Sequence, residues 1–450
     1  MKIAEAFADF SVALKYQQLP QEVLEKAKIF FLDWLGSAIN GAGEAPTKMA
    51  LAVAKELKGE EESTVLADMS RNSCLMAALV NGISSHVVEM DDGHRKGIYH
   101  PGAPVFSAIL PLAEKLNPSG KRFIEAVVVG YEIGVRSAVA VGRSHYRYWH
   151  TTGTCGTFGA AAGAAKLLSL DKPQTTWAIG NAGTQASGLW EFLTDNAMSK
   201  QLHPAKAAVN GILAAFLAQK GFTGPASIYE GEKGFFRATS TDFNLGAATA
   251  GLGEGRYAIE ECSIKKHASC GHTHSAVDAV LTLVTEHDIS PDDVDHVDVR
   301  LYDQAMDLLE KVKPTTPFFA KFCLPFCIAT AAVYRQVGLE AFTEERLRDS
   351  AVLRMMDRIT LHRDSALTPL FPEKYCAVVA LRTKAGESLT TRVEDPKGTP
   401  ENPMSPQEIT EKYRTMTARQ LGTASETVLE RVMRIESLAS MKTFFQDVHF

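Results

Sequence analysis

Apolar residues recur at helical spacing through roughly the first 250 residues of the chain. The segment LPQEVLEKAKIFFLDWLGSAING follows this spacing and stops at Gly41, and PTKMALAVAKELKG is a second such segment that ends at Gly59. Three later segments, LMAALVNGISSHVVEM, APVFSAILPLAEKL and KRFIEAVVVGYEIGVRSAVAVG, are apolar almost all round. Helices of that kind are buried on every side, so we predict a helical domain of several layers.

The pattern changes near residue 255. DVDHVDVRLYD (293–303) and CAVVALRTKAGESLTTRVE (376–394) alternate apolar and polar residues, as half-buried strands do, and the second contains a Lys-Ala-Gly-Glu turn typical of a hairpin. VLRMMDRITLHRD (352–364) is a further predicted strand, and two helical segments lie between these strands, THSAVDAVLTLVTEHD and FCLPFCIATAAVYRQVG. Strands and helices in this arrangement indicate a small α+β unit.

We therefore predict a mainly α protein built from two domains. A large all-helical domain is expected from residues 1–260 and 398–450, and a smaller α+β lid domain from residues 261–397 is inserted into it. The Pro- and Gly-rich loop DPKGTPENPMSP precedes the return to helix at the C-terminal side.

Composition excludes several classes of function. The 450 residues are 45% hydrophobic and 22% charged, which is ordinary for a globular protein. Because the net charge is −6 and the basic residues are scattered, we expect no nucleic-acid partner. No apolar run approaches the ~20 residues that span a bilayer, and the acidic, amphipathic start is unlike a signal peptide. The seven dispersed cysteines fit reduced thiols, so we expect a cytoplasmic protein.

Small residues are dense in TGTCGTFGAAAGAAKLL (152–168) and HPAKAAVNGILAAFLAQKG (203–221). Gly and Ala at helical spacing allow close approach of helix axes, so these segments predict a tightly packed central pair of helices. A GxGxxG motif in a strand–turn–helix context is missing, as is a Walker loop, and neither a dinucleotide nor a nucleotide cofactor is indicated.

Two polar clusters follow predicted helices. The loop EMDDGHRKGIYHPG (89–102) holds the ionisable residues Glu89, Asp91, Asp92, His94 and His100. A loop held by apolar helices is where sites are usually built, although a solvated turn with a capping aspartate is the alternative. In HYRYWHTTGTCG (145–156), aromatic residues flank His145 and His150, and a Gly/Thr-rich bend is expected before a helix whose N-terminus could bind a carboxylate.

Two further clusters contain lysines. In MSKQLHPAKAAVNG (198–211), Lys200 and His203 precede a helix that we expect to begin at Pro204, while Lys206 is interpreted as a surface lysine. KKHASCGHTH (265–274) places three histidines and Cys270 behind Lys265 and Lys266, a set of donor atoms that zinc accepts. His272 and His274, however, would point in opposite directions in a strand and about 200° apart on a helix, so a metal site stays only an alternative there.

Lysines, histidines and carboxylates without a redox motif or a nucleophile elbow suit chemistry on small polycarboxylates. Lysines would hold the carboxylates, while a histidine and an acid move a proton from the adjacent carbon.

Taken as an ordered set, the clusters have a counterpart in a known family. MDDGHR, HPGAPV, WHTTGTCGTFGAAAGAAKLLSL, SKQLHPAKAAVNGILAAFLAQKGFTGP, EGEKGF, SIKKHASCGHTH and GTPENPMSPQEITEKY occur in this order, and the chain resembles the MmgE/PrpD family throughout. That family includes 2-methylcitrate dehydratase, cis-aconitate decarboxylase and iminodisuccinate epimerase. The resemblance implies a helical domain with an α+β lid, a homodimer, an active site between the domains, and no metal or organic cofactor.

The resemblance also implies site residues. The acidic loop position falls on Glu89 or Asp91, the loop histidine on His100, the helix-entry histidine on His150, and the two site lysines on Lys200 and Lys265. Cys270 and His274 match a further Cys-x3-His pattern, and with Glu89, Asp92, His94 and Lys266 we assign them to substrate binding.

The chain departs from the family pattern at three positions. Gly93 stands where members often have Thr after two aspartates, Phe326 stands where a tyrosine is usual, and His267 occupies a place that is usually aromatic. A hydroxyl group is missing at the first two positions, which bears on the choice of substrate.

From these residues we expect a cofactor-independent, dehydratase-like lyase that removes a proton alpha to a carboxylate of a small di- or tricarboxylate. An epimerase or isomerase of the iminodisuccinate type and a decarboxylase of the cis-aconitate type are alternatives. A non-catalytic binding protein and a zinc hydrolase are alternatives from other classes.

Overall fold

The computed structural model describes residues 1–195, 197–309 and 313–448. It is mainly α-helical, as predicted, and it separates into two compact units. Unit 1 comprises Met1–Cys262 together with the C-terminal segment from Pro406, and unit 2 comprises Ser263–Ser405. Within the described residues, no helix combines the length and the apolar character needed to cross a membrane.

Unit 1 contains most of the helices. They are α1 (Ile3–Ala13), α2 (Gln21–Asn40), α3 (Ala45–Leu57), α4 (Cys74–Val87), α5 (Gly102–Leu116), α6 (Gly120–Val141), α7 (Thr151–Leu167), α8 (Lys172–Gly183), α9 (Phe192–Asp195), α10 (Ser199–Gln219), α11 (Phe235–Thr239), α12 (Leu245–Thr249), α18 (Pro406–Leu421) and α19 (Ala424–Met433). The unit is not all-helical, because β1 (Ser63–Val65) and β2 (Ser70–Asn72) form an antiparallel hairpin before α4.

Local sequence explains where the helices that carry the site begin and end. The Ser73 side chain accepts a hydrogen bond from the Met76 N–H and thereby caps α4, and Ser119 caps α6 in the same way through the Arg122 N–H. Such caps satisfy N–H groups that have no partner inside the helix. Helix α5 ends at Asn117, whose φ of 57° is left-handed, a conformation that asparagine tolerates.

The centre of unit 1 is built around α10, which packs against both α4 and α7 with small residues at the contacts. A Cβ atom added at Gly82 on α4 would lie 2.5 Å from Ala205 Cα on α10, and one added at Gly211 would lie 2.5 Å from Ala160 Cβ on α7. Real Cβ atoms do not approach so closely, so these glycines set the spacing of the helices. The predicted close packing of the 152–168 and 203–221 segments is confirmed.

Two helix starts differ from prediction. Helix α10 begins at Ser199 and not at Pro204, which lies within the helix and cannot donate the usual hydrogen bond to Lys200 O. Helix α7 begins at Thr151, so the Gly/Thr-rich segment lies inside the helix and does not form a bend before it. His150 occupies the N-cap position of α7.

Unit 2 is an α+β unit around one four-stranded sheet. Its elements are α13 (His274–Glu286), β3 (Val294–Leu301), α14 (Asp303–Leu308), α15 (Pro317–Ala320), α16 (Leu324–Tyr334), α17 (Ser350–Met356), β4 (Ile359–Arg363), β5 (Ala377–Thr383) and β6 (Ser388–Val393). The strand order is β4-β3-β5-β6, with β3 and β4 parallel and the other pairs antiparallel. The predicted hairpin is β5–β6, whereas only the second half of the 352–364 segment is a strand and its first half belongs to α17.

Candidate active site

The loop between α4 and α5 is folded back on itself. His94 and Tyr99 exchange two backbone hydrogen bonds, of 2.7 Å from His94 N and 3.2 Å from Tyr99 N, which close the loop like a short hairpin. Glu89 and Ile98 adopt positive φ angles of 58° and 44°, conformations that cost non-glycine residues energy. The closed loop delivers Asp91, beside the last turn of α4, and His100, directly before α5.

Asp91 lies between two histidines. The His86 Nδ1 atom is 2.6 Å from Asp91 Oδ2, and His100 Nδ1 is 3.5 Å from the same oxygen. His100 Nδ1 also donates a 2.6 Å hydrogen bond to the backbone oxygen of Asp92. Because a carbonyl oxygen can only accept, Nδ1 of His100 carries the hydrogen, and Nε2 of the neutral ring holds a lone pair. The arrangement suits His100 for taking up a proton next to a carboxylate.

His150 meets a second histidine, His203 on α10. Their Nδ1 atoms are 3.1 Å apart, and the indole ring of Trp190 lies 4.8 Å from the ring of His150. Burial lowers the pKa of His150 well below its usual range, and the neighbouring His203 lowers it further. Burial, followed by nearby positive charge, lowers the pKa of His203 to about 3. Both rings are therefore neutral near pH 7.

Four imidazoles of unit 1 form a continuous row. The ring centroids of His203 and His150 are 5.3 Å apart, those of His150 and His86 are 5.6 Å apart, and those of His86 and His100 are 5.2 Å apart. His86 and His150 stack with an angle of 28° between their planes. The row joins α4, α7 and α10 to the loop that holds Asp91.

A buried ion pair joins helix α10 to the loop between α4 and α5. The Lys200 ammonium, near the start of α10, is paired with the Glu89 carboxylate of the loop, and the two side chains are 3% and 2% exposed. A buried charge needs such a partner, because desolvation is costly. The pair places a positive charge, already balanced by one carboxylate, in the part of unit 1 that holds His86 and His150.

Asp92 and His94, two of the predicted loop residues, are held in place by contacts with other groups of unit 1. The carboxylate of Asp92 accepts hydrogen bonds from Gly102 N at 2.9 Å and from Tyr131 OH at 2.8 Å, and burial raises its pKa well above the usual range. His94 contacts Glu261 through Nε2 at 3.4 Å and accepts a hydrogen bond from Gly97 N through Nδ1. These contacts anchor the loop, and the predicted part of both residues in substrate binding stays a prediction.

Unit 2 holds the segment 265–274. Lys265 is buried and Lys266 is exposed. The three histidines of the segment have different partners: His267 contacts Asp278 at 2.8 Å, His272 contacts Tyr302 OH at 2.5 Å, and His274 Nε2 donates to Ser269 O at 3.3 Å. Burial, followed by the charge of Lys265, lowers the pKa of His272 to about 4.

The same segment does not collect metal-binding atoms at one point, within the part of the chain that is described. Burial and then His267 lower the pKa of His274 well below its usual range, and Cys270 is buried. Among the described residues, three donor groups converge at His86, Asp91 and His100, whose ligand atoms lie within 4.8 Å of one another. The Nδ1 hydrogen of His86 already goes to Asp91 and that of His100 to the Asp92 carbonyl oxygen, so a cation bound through either Nδ1 would have to displace that hydrogen.

Sequence reasoning missed His86, Tyr131 and Trp190. His86 belongs to the apolar run that predicted α4, where a single histidine carries no signal of its own. The available signal was its position in the last helical turn, five residues before Asp91. Tyr131 and Trp190 are far from the loop in sequence, and their proximity depends on the fold.

The buried cluster contains imidazoles, carboxylates and an ammonium group. Such a set of groups is typical of enzymes that transfer protons. Comparison with known families identifies the class. Residues 5–248 match the MmgE/PrpD N-terminal domain and residues 267–436 match the MmgE/PrpD C-terminal domain. Because these matches cover most of the chain, the protein belongs to the MmgE/PrpD family.

Curated relatives match along nearly the whole chain. The cis-aconitate decarboxylase-like protein oryM of Aspergillus oryzae is 28% identical, over 96% of this chain and 92% of its own. The cis-aconitate decarboxylase of Aspergillus terreus is 27% identical, over 94% and 90%, and that of Homo sapiens is 25% identical, over 97% and 92%.

Proposed function

We propose that the protein is a lyase that acts on a small di- or tricarboxylate by removing a proton alpha to a carboxylate. It is an enzyme of the MmgE/PrpD type and works without a cofactor. The observation that carries the proposal is the geometry at His100, whose Nδ1 hydrogen is committed to the Asp92 carbonyl while its Nε2 is the basic atom.

His100 takes the proton through Nε2 and becomes an imidazolium. Asp91 Oδ2, 3.5 Å from Nδ1, then stabilises the positive ring, and a base positioned in this way contributes about 10²- to 10⁴-fold to the rate. His150, a neutral member of the row of imidazoles, is the second proposed proton-transfer group. Once protonated, His100 holds the proton that is returned to the leaving hydroxide or to the carbanion.

Lysines bind the substrate carboxylates in this proposal. Lys200 offers an ammonium whose balance with Glu89 shifts when a second carboxylate enters. Lys265 is the second carboxylate-binding lysine, with Lys266, Cys270 and His274 as supporting residues of unit 2. These assignments follow the family resemblance, as do a lid role for unit 2 and a homodimer, whereas the proposed cytoplasmic location rests on the dispersed cysteines.

The alternatives differ in how the carbanion forms and reacts. Loss of hydroxide from the carbanion makes a dehydratase, and its reprotonation on the other face makes an epimerase. A decarboxylase, the activity in the names of the relatives given above, instead forms the carbanion by losing CO₂ and then takes up a proton. Decarboxylation gains support from those names. Gly93 and Phe326, which lack the hydroxyl groups common in the family, favour a different substrate, and Phe326 is fully buried against Phe342.

The test is turnover of a panel of acids in D₂O by the purified full chain. The panel contains cis-aconitate, 2-methylcitrate, citrate and iminodisuccinate. Rising alkene absorbance identifies elimination, deuterium uptake without net loss identifies epimerisation, and released CO₂ identifies decarboxylation. Binding without any of the three would indicate a non-catalytic protein. Stoichiometric zinc with activity lost to a chelator would point to the trio of His86, Asp91 and His100 as a metal site and would overturn the proposal.

A further inference from the structure

We propose that His86, which the sequence does not mark, is a positioning residue that holds Asp91 in place for proton transfer at His100. The inference rests on the proposed function and concerns a residue that does not itself need to touch the substrate. Three observations in unit 1 carry it.

The first observation is the hydrogen bond that His86 makes. Its Nδ1 atom lies 2.6 Å from Asp91 Oδ2, the oxygen that is also 3.5 Å from His100 Nδ1. Asp91 is 1% exposed, and a buried carboxylate stays ionised only when donors or cations stabilise its charge. The His86 N–H group is such a donor. It keeps the negative charge where the positive charge develops on His100.

The second observation is the packing of the His86 ring. It stacks on His150 at a centroid distance of 5.6 Å and meets the ring of His100 edge-on at 5.2 Å. One imidazole thus touches both proposed proton-transfer groups and the carboxylate that serves them. Because the ring is completely buried, it cannot rotate without displacing these neighbours.

The third observation concerns the other ring nitrogen. Among the described residues, His86 Nε2 has no hydrogen-bond partner, although the atom is buried. Buried polar atoms are nearly always satisfied, and an exception is costly. A leucine would fill the position without that cost. The use of a histidine here therefore lies in its Nδ1–H donor.

Two variants separate the donor from the volume it occupies. His86→Leu fills the space without a donor, whereas the amide nitrogen of His86→Asn takes a place close to that of Nδ1. We expect His86→Leu to lower kcat by about 10²-fold with little change in KM, since a misplaced catalytic group costs on that order. We expect His86→Asn to recover most of the loss. The solvent deuterium isotope effect on kcat rises in His86→Leu, because proton transfer becomes slower than the other steps.

Ser84→Ala is the matched control. Ser84 is fully buried on the same helix, and its hydroxyl donates a 2.5 Å hydrogen bond to Ala38 O, away from the imidazole row. Its loss tests whether any lost hydrogen bond in α4 has the same effect. Should His86→Leu fail to fold, His86→Gln replaces it, because its longer amide reaches the place of Nε2 and not that of Nδ1.

The results divide cleanly. Equal loss in His86→Leu and His86→Asn, or an unchanged isotope effect, would make His86 a purely structural residue and overturn the inference. Absence of turnover by the wild type on every acid would instead count against the proposed function. In that case ¹⁵N-histidine NMR of the substrate-free protein still decides. The Nδ1–H signal of His100 should move in His86→Leu and stay in His86→Asn, and unchanged spectra in both variants would refute the positioning role.

Discussion

The Nδ1 atoms of His150 and His203 lie 3.1 Å apart, so one ring donates and the other accepts. Such a contact requires at least one neutral imidazole. Burial lowers the pKa of both groups, that of His203 to about 3. The pair is thus a neutral unit at the N-cap of α7, with its hydrogen bond unbroken across the ordinary range of pH.

This pair makes the stability of the protein depend on pH. An unfolded histidine has a pKa near 6.5, so below that value the unfolded chain binds protons that the folded chain refuses. The stability that the neutral, buried His203 contributes to the folded protein is complete above about pH 6.5 and is lost as the pH falls towards about 3. We expect the free energy of unfolding to fall by up to about 1.4 kcal/mol per pH unit from this residue.

His203→Gln provides the comparison for the pH effect. Urea unfolding of both proteins gives the free energy of unfolding as a function of pH. Between about pH 6 and pH 4 the values for the two proteins should converge, because only the wild type has a residue 203 that takes up a proton on unfolding. Parallel curves would show that His203 is protonated in the folded protein.

His100→Ala should abolish turnover and leave the fold intact. The residue is partly exposed and is the proposed base, so its loss should cost about 10²- to 10⁴-fold in kcat. The exposed His287→Ala is the control and should keep wild-type activity. Circular dichroism checks the fold of both variants. Full activity in His100→Ala would remove His100 from the mechanism.

Lys265→Ala should also abolish turnover, since it removes the proposed carboxylate clamp of unit 2. The exposed lysine Lys384, in the turn between β5 and β6, serves as the control when replaced by Ala. Measured affinity for an unreactive tricarboxylate should fall in Lys265→Ala and stay in Lys384→Ala. Equal affinities would contradict the assignment.

Glu89→Gln should destabilise unit 1 by about 3–5 kcal/mol, because the Lys200 ammonium stays buried after its carboxylate is gone. Combining it with Lys200→Met should cost less than the two single changes added together. Asp9→Asn removes an exposed ion pair with Lys172 and should change the free energy of unfolding by at most about 1 kcal/mol. Urea unfolding measures all four variants, and strict additivity would argue against the pairing.

Gly93→Thr should fold and should increase any release of CO₂ from cis-aconitate. A Cβ atom at Gly93 would lie 3.9 Å from Tyr99 O and 4.0 Å from His100 Nδ1, which is ordinary contact. The added hydroxyl would stand beside His100 and offer one hydrogen bond, worth about tenfold or less in rate. Gly43→Thr is the control, because the position is exposed and a Cβ atom there would meet no other described residue within 4 Å apart from its chain neighbours. If the proportion of CO₂ among the products does not change, Gly93 does not determine the choice of substrate.

Sequence patterns predicted long and strongly periodic elements well. The β5–β6 hairpin alternates apolar and polar residues around a clear turn, and both features are local. The β1–β2 hairpin was not predicted, because strands of three residues are too short to show an alternation of apolar and polar residues. The start of α10 was placed too late because Pro204 is a common first residue of helices, and here the tertiary packing of α10 outweighed that preference.

The sequence singled out several members of the cluster, such as Asp91, His100 and His150, but not the contacts between them. Glu89 and Lys200 are 111 residues apart in sequence, and nothing local indicates that they form an ion pair. His86 was invisible because a histidine within an apolar helix is usually a core residue. Its role follows only when Asp91, His100 and His150 are seen around it.

Because Gly82 has no side chain, α4 and α10 can approach each other closely. Its neighbour Ala205 follows His203 by two residues on α10, and His86 stands one helical turn beyond Gly82 on α4. A single methyl group at Gly82 would push these two helices apart and separate the imidazoles that each one carries. A residue without ionisable atoms thereby sets the spacing between the proposed proton-transfer groups of the two helices.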